Sequence, residues 1–408
     1  MKKISLMALG LIAGLTVSAQ PEVVKNAESL VKKKDYAQAL QQVQPALTDP
    51  STMNTAQPWY IAGEAAVGLW DDYTLAGMGG QQATPEQTKA ASKALVDAYN
   101  YFVKALPLDQ LPDEKGKVKP KYTKKIQKII GENYHNYMQA GLNLYNTQDY
   151  PDAYEAWDIY VNMPQNDKAD PKAYVADPDS LVGQIAYYQG LAAYFSDNIE
   201  GALQQLDKAL GMGFHDKTAY ILGVEGSNKL KRTADANRYA REGNKLYGAD
   251  DISFLAQLIN SELENNNYPA CYEAIDESFA IAANDSIKSQ LYNVRAIINE
   301  RENKIADAKS NLEESIKLNP SNAKSYFDMG RLIQNEVAAQ EENADEPTRQ
   351  NVLVPALKKA IEFYEKSYDL DDTQDQLSKY IYRLYYQLDQ NYHLGEEYAK
   401  KAEEWSLK

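Results

Sequence analysis

The sequence predicts an all-α protein assembled from about nine stacked helix–turn–helix units, and three observations support this fold class. At 408 residues the chain exceeds what one compact core usually holds, so several domains or a stacked array are expected. Only 21 glycines and 16 prolines are present, which favours helices over a turn-rich β protein. A pattern of small and large residues also recurs with a period close to that of a helical hairpin.

The recurring pattern is small-x3-large-x2-small, as in Ala98-x3-Phe102-x2-Ala105. Its first residue falls at positions 39, 98, 153, 202, 236, 270, 308, 360 and 395, so successive gaps are 59, 55, 49, 34, 34, 38, 52 and 35 residues. Small residues let two helices approach closely, and large residues fill the space between neighbouring pairs. The pattern therefore predicts nine second helices, with insertions in the longer gaps.

A complementary pattern marks the first helix of each pair, as in Trp59-x2-Ala62-Gly63-x2-Ala66. Together the two patterns resemble the tetratricopeptide repeat, a 34-residue hairpin with the signature W-x2-L-G-x2-Y followed by A-x3-F and a closing proline. The resemblance covers nearly all of residues 21–408. It implies a right-handed superhelical solenoid whose first helices line a concave groove, and a function in binding proteins or peptides.

Four insertions interrupt the repeats, and we expect most of them to be solvated loops, with a binding role as the alternative. The first and last lie between the two helices of one repeat, whereas the other two lie between repeats. Their positions are 71–92, 107–123, 161–182 and 336–354.

The N-terminus is typical of a secretory signal peptide. Lys2 and Lys3 precede an apolar run over 4–17, and Val17-Ser18-Ala19 provides a small-residue cleavage site. We therefore expect a signal peptide over 1–19, cleavage after Ala19, and a mature solenoid over 20–408. No cysteine follows the cleavage site, so a lipoprotein anchor is not expected, and the predicted location is the periplasm or the medium.

Composition and motifs argue against several classes of function. The formal net charge of −15 disfavours nucleic-acid binding. The single Cys271 excludes an internal disulfide, and three scattered histidines make a metal site improbable. Catalytic motifs such as G-x-S-x-G, H-E-x-x-H and a phosphate loop are absent. We therefore expect no enzymatic activity, no cofactor and no stable membrane anchor, and we place Cys271 in the core.

Carrying the groove positions of the family over to this chain gives a predicted binding surface. Its middle would be apolar and aromatic, with packing between neighbouring first helices as the alternative. Its last two repeats would be cationic and would bind an acidic segment of a protein or peptide, with ion pairing to nearby glutamates as the alternative. The predicted groove residues are Tyr60, Met138, Leu142, Tyr187, Leu191, Tyr220, Leu255, Ile259, Lys324, Phe327, Arg331, Lys379 and Arg383.

Two other functions are consistent with an exported helical-repeat protein. Aromatic side chains could stack on sugar rings in a carbohydrate- or nutrient-capturing protein, which an exposed tryptophan or tyrosine platform would favour. Alternatively, the array could associate with itself in an assembly of the cell envelope. The sequence assigns neither an oligomeric state nor a particular partner.

Overall fold

The computed structural model describes residues 20–373 and 376–408. In this part of the chain the secondary structure is helical, and the one β feature is an isolated bridge between Pro112 and Val118. The expected signal peptide over 1–19 lies outside the described residues. The chain divides into two compact units, residues 1–219 and 220–408.

The first unit contains four helical hairpins and one additional helix. We call the first helix of each hairpin its A helix and the second its B helix. The hairpins are α1/α2, α3/α4, α6/α7 and α8/α9, and α5 is the additional helix. The helices are α1 (Gln20–Lys32), α2 (Tyr36–Val43), α3 (Ala56–Met78), α4 (Pro85–Asp109), α5 (Thr123–Glu132), α6 (Tyr134–Asn146), α7 (Tyr150–Asn162), α8 (Asp179–Phe195) and α9 (Ile199–Gly211).

The remaining hairpins are α10/α11, α12/α13, α14/α15, α16/α18 and α19/α20, and α10 runs across the boundary between the units. The helices are α10 (Lys217–Lys229), α11 (Thr233–Tyr247), α12 (Ser253–Glu264), α13 (Tyr268–Ile281), α14 (Asp285–Arg301), α15 (Ile305–Leu318), α16 (Ala323–Glu341), the single turn α17 (Glu346–Thr348), α18 (Val354–Leu370), α19 (Leu377–Gln390) and α20 (Glu396–Ser406). The prediction of an all-α protein with nine hairpins is confirmed for the described residues. The superhelical path of the whole array stays a prediction.

The turn between A and B helices is nearly identical in six hairpins. Its central residue adopts a left-handed conformation, with φ between 53° and 61°, and the next backbone N–H donates to the carbonyl five residues earlier at 2.7–3.0 Å. This is the Schellman arrangement, which satisfies carbonyl groups at the end of the A helix. Glycine usually occupies the left-handed position, whereas here the six residues are Lys34, Gln148, Asp197, Lys231, Asn266 and Asn303.

Within the hairpins, a glycine of the A helix packs directly against a large side chain of the B helix. A Cβ atom on Gly141 would lie 2.4 Å from the indole nitrogen of Trp157, so only glycine permits this approach. The same contact joins Gly63 to Phe102, Gly223 to Tyr239 and Gly330 to Tyr364. This small-against-large packing at the signature positions confirms the resemblance to the tetratricopeptide repeat.

Two of the nine predicted B-helix patterns are placed in the wrong register. In α13 the half-buried Ala270 does not take the small position; the buried set is Cys271, Ile275 and Ser278, one residue later. Cys271 is therefore a core residue, as expected, and burial raises the pKa of its thiol to about 11. In the last hairpin, Gly395 is exposed and precedes α20.

The four insertions combine lengthened helices with exposed loops, such as residues 110–121. The first and last mainly lengthen the adjoining helices, with α3 reaching Met78 and α16 reaching Glu341. The third returns to pack on the hairpin before it, where the Tyr160 hydroxyl donates to Asp177 at 2.7 Å. The second is closed by Asp109, whose carboxylate accepts backbone N–H groups from residues 121–123 at 2.7–3.0 Å.

Tyrosine hydroxyls form many of the hydrogen bonds between elements. Tyr272 donates to Glu302 at 2.7 Å, Tyr364 to Gln334 at 2.8 Å, and Tyr385 to Glu365 at 2.8 Å. In each case burial raises the pKa of the phenol. These bonds explain the 31 tyrosines against 7 phenylalanines, because the ring fills the core while the hydroxyl reaches a polar partner.

The contact between Gly141 and Trp157 predicts that one added methyl group at position 141 destabilises the fold. Gly141→Ala should lower the free energy of unfolding by about 1–3 kcal/mol, because the new Cβ collides with the buried Trp157 ring. Gly211→Ala at the end of α9 is the matched control, since no heavy atom lies within 4 Å of its added Cβ. Urea unfolding followed by circular dichroism measures both, and equal losses in the two variants would contradict the packing argument.

Asp109 predicts a pH-dependent contribution to stability. Burial acts to raise its pKa, but the hydrogen bonds from Lys121, Thr123 and Tyr122 outweigh this and lower it. Its contribution is therefore complete above its unfolded pKa of about 3.9 and is lost as the pH falls through the lower folded value. Asp109→Asn should lower the free energy of unfolding by about 1–3 kcal/mol at pH 7 and by much less at pH 2.5. Glu114→Gln, an exposed change in the same insertion, is the control. A cost for Asp109→Asn that does not change with pH would refute this account.

Candidate functional site

The second unit contains a groove of about 600 Å³ along its A helices. Helices α12 and α14 form its walls and the first turn of α16 closes one end. Ile259, Leu263, Val294 and Ile297 contribute apolar surface. Successive A helices lie side by side, so residues from three consecutive repeats meet in one concavity.

The polar residues of the groove fall into two groups. Asn293 donates to Asp328 at 2.9 Å, and Asn322 caps α16 while donating to Ser289 at 2.9 Å, so both are engaged within the fold. The side-chain amides of Asn260 and Gln290 form no hydrogen bond with any described residue. These two amides lie on α12 and α14 and line the groove, where they can both donate and accept hydrogen bonds.

A chain of buried serines fixes the helices that carry the groove. Ser289 of α14 and Ser315 of α15 exchange hydrogen bonds with each other's carbonyl groups, at 2.8 and 2.6 Å. Ser315 also contacts Ser325 of α16 at 2.7 Å. All three side chains are fully buried, so the polar atoms are satisfied by one another. The spacing between the α14/α15 hairpin and α16 is therefore set by directional bonds as well as by apolar packing.

A compact ion cluster lies beside the groove. Arg331 binds both oxygens of Glu300 at 2.7 Å and reaches Asp328 at 3.4 Å. Asp328 is buried and also accepts from Lys324 at 3.2 Å. The hydrogen bonds to Glu300 raise the pKa of Arg331 against the opposing effect of burial. Two cations and two carboxylates thus neutralise each other, and only Lys324 among the four is largely exposed.

The predicted cations of the last repeat are in a different environment. Lys379 and Arg383 are exposed on α19, and within the described part of the chain neither forms an ion pair. Lys379 makes one long contact of 3.5 Å with Gln376. Phe327, also predicted, is half-buried between the rings of Tyr364 and Tyr380 at 5.6 and 6.2 Å.

Most of the predicted apolar groove residues of the first unit pack inward. Tyr60 is buried, stacks on Tyr122 at 4.5 Å and donates to Glu64. Tyr187 and Leu191 are buried as well. Met138 is half-buried, and Leu142 is 46% exposed. Only Leu142 and part of Met138 therefore present surface to a partner in this unit.

In the second unit, Tyr220 and Leu255 are core residues, at 1% and 0% exposure. Ile259 is 3% exposed and supplies part of the groove floor. Asn260 and Gln290 were not predicted from the sequence. Asn260 directly follows the predicted groove residue Ile259, and this adjacency is the sequence signal that could have found it.

The first unit has a smaller concavity of about 370 Å³. Glu64, Asp71 and Glu132 line it. Burial raises the pKa of Glu64 and of Asp71. The two concavities therefore differ in character: carboxylates line the first, whereas apolar and amide side chains line the second.

The described residues provide neither a metal-binding cluster nor a membrane-spanning helix. Residues 20–373 and 376–408 contain no group of three or more His, Cys, Asp or Glu side chains that could hold a metal ion. In those same ranges no helix is both long and apolar enough to cross a membrane.

Comparisons with known proteins give matches at low sequence identity. No protein-family model matches the chain. Over 205 residues, half of this chain, the sequence is 24% identical to the DnaJ homolog subfamily C member 7 homolog of Dictyostelium discoideum, and the match spans only 30% of that protein.

Solved structures of tetratricopeptide-repeat proteins are similar over most of the chain. The C-terminal part of a repeat protein from Cytophaga hutchinsonii matches 87% of this chain and 98% of its own, with 13% identity and a TM-score of 0.39. Yeast Tom70 matches 94% of this chain and 92% of its own, with 11% identity and a TM-score of 0.37. Because these TM-scores are low, the tetratricopeptide-like fold rests on the packing within this chain's own hairpins.

Proposed function

We propose that this chain is a non-catalytic scaffold that binds a protein or peptide segment in the groove formed by α12, α14 and α16. The observation that carries the proposal is that Asn260 and Gln290, whose side-chain amides have no partner among the described residues, line a groove beside apolar residues such as Ile259 and Val294. An extended peptide brings backbone N–H and C=O groups that lose water on binding and need partners. Side-chain amides supply a donor and an acceptor for them.

The remaining lining residues suit the same ligand. Ile252, Ile259, Val294 and Ile297 can bury alternate apolar side chains of a bound segment. Asparagines, Ser321 and Lys324 complete the lining, and this set offers no base or carboxylate beside a nucleophile for acid–base chemistry. Binding is therefore the activity that the groove supports.

The end of the groove favours an acidic segment. Lys324 is exposed there, and its contact with Asp328 uses only part of its hydrogen-bonding capacity. A carboxylate of the partner would reach this ammonium group while the preceding residues occupy the apolar part. Because Lys324, Arg331, Glu300 and Asp328 together carry no net charge, this contact would be a secondary one.

Carbohydrate capture receives less support. Trp70, Trp157 and Trp405 are buried, and the half-buried Trp59 donates its indole N–H to the Met53 carbonyl. One aromatic cluster of the first unit contains the exposed Phe195 and the half-buried Tyr145 and Tyr150. Its rings are inclined to one another by 41–68°, so they do not form a flat stacking platform for a sugar.

The groove proposal is tested with peptides selected from a random display library on the purified protein. The double variant Asn260→Ala, Gln290→Ala should bind the tightest selected peptide about tenfold more weakly, because each lost hydrogen bond is worth about 0.5–1.5 kcal/mol. Gln257→Ala is the matched control, since Gln257 is exposed on the same helix and does not line the groove. Isothermal titration calorimetry measures both variants. Full affinity in the double variant, or an equal loss in the control, would place the site elsewhere.

We also propose that the chain is exported to the periplasm or the medium. The support is the N-terminal order of two lysines, an apolar run and a small-residue site at Ala19. Intact-mass analysis of protein purified from its native host should give a mature chain beginning at Gln20. Ala19→Asp should block that cleavage, because a bulky charged residue does not fit the small-residue site, whereas Gln20→Asn should not. Recovery of the full 408 residues from the soluble cytoplasmic fraction would refute the proposal.

A further inference from the structure

We infer that the exposed face of α19 is the main contact surface for an acidic segment of a protein partner, and that Arg331 is a positioning residue that does not touch it. The inference rests on the proposed function in one respect, namely that the second unit binds a partner segment. It differs from the sequence prediction, which assigned equal roles to the cations of α16 and α19.

Helical geometry places two cations and two tyrosines on one side of α19. At 100° per residue, Lys379, Tyr380, Arg383 and Tyr386 fall within a sector of about 120°. The opposite side is formed by Leu377, Ile381, Leu384, Tyr385 and Leu388, all of which are buried. Burial of the apolar side thus fixes the orientation of α19 about its own axis, and the four residues face the solvent together.

Charge pairing separates the two groups of cations. Beside the groove, Lys324 and Arg331 form ion pairs with Asp328 and Glu300. The bidentate pair between Arg331 and Glu300, at 2.7 Å, connects α16 to α14. Breaking that pair to bind a partner would leave Glu300 unpaired. Lys379 and Arg383 have no such internal partner among the described residues, so an incoming carboxylate can reach them without breaking an ion pair between described residues. The available positive charge of this region therefore lies on α19.

The tyrosines make this face suitable for a protein rather than for a diffuse anion. Tyr386 is 50% exposed and Tyr380 is 38% exposed. Tyr380 is supported from behind by Tyr364 at 6.1 Å and Phe327 at 6.2 Å, so little conformational freedom is lost when it is covered. Tyrosine and arginine are the residues enriched at the energetic centres of protein interfaces. The matching partner is an acidic segment that also carries aromatic or aliphatic side chains.

The test uses a fluorescein-labelled peptide of alternating glutamate and tyrosine, measured by fluorescence anisotropy over a salt series. Lys379→Glu with Arg383→Glu should weaken binding about tenfold or more and flatten the salt dependence. Glu300→Gln with Arg331→Gln removes the internal ion pair without changing the net charge. That variant should bind within about twofold of the original protein while its thermal midpoint falls, as expected for a positioning role.

Two results would overturn the inference. One is unchanged binding and salt dependence in the α19 variant, after circular dichroism has shown it to be folded. The other is a loss of binding affinity in the Glu300→Gln, Arg331→Gln variant that is as large as the loss in the α19 variant. The display-selected peptides distinguish this failure from failure of the proposed function, because their dependence on Asn260 and Gln290 would persist if only the α19 assignment were wrong.

Discussion

The close approach of glycine to an aromatic ring, seen in four of the nine hairpins, is the contact that sets the geometry of those hairpins. Where Gly63 meets Phe102 or Gly141 meets Trp157, no side chain separates the backbone of the A helix from the ring. That contact fixes the distance between the two helices, and the distance in turn decides which residues of the A helix remain free to meet the next hairpin. An array of similar hairpins follows, because each pair presents the same surfaces to its neighbour.

The same constraint explains which features could be predicted from the sequence. Gly141 and Trp157 must occupy fixed positions in their helices for this contact to form. The repeat pattern and the all-α fold can therefore be predicted from residue types alone. The α13 pattern was placed one residue too early, on Ala270, because cysteine and alanine satisfy the small position equally well, and only burial distinguishes Cys271 from Ala270. The frame is a property of local spacing, whereas the register of an individual helix depends on its neighbours.

The candidate site was less predictable because it depends on contacts between repeats. Tyr220 and Leu255 occupy positions that face a groove in the family, yet here neighbouring helices cover them. Arg331 and Arg383 have equivalent positions in their repeats, but only Arg331 has a glutamate on the preceding A helix within reach. Whether a charge is available to a partner therefore depends on side chains far away in sequence, which periodicity cannot reveal.

The many tyrosines also set an alkaline limit on this fold. Burial raises the pKa of Tyr99, Tyr187 and Tyr220 to about 12, whereas in an unfolded chain a phenol ionises near 10. The neutral phenol is thus favoured in the folded state, and its contribution is complete below about pH 10 and is lost above it as the unfolded chain releases protons. Because such phenols are distributed along the chain, base would loosen many hairpins together, and phenolate absorbance would report that opening without any added label.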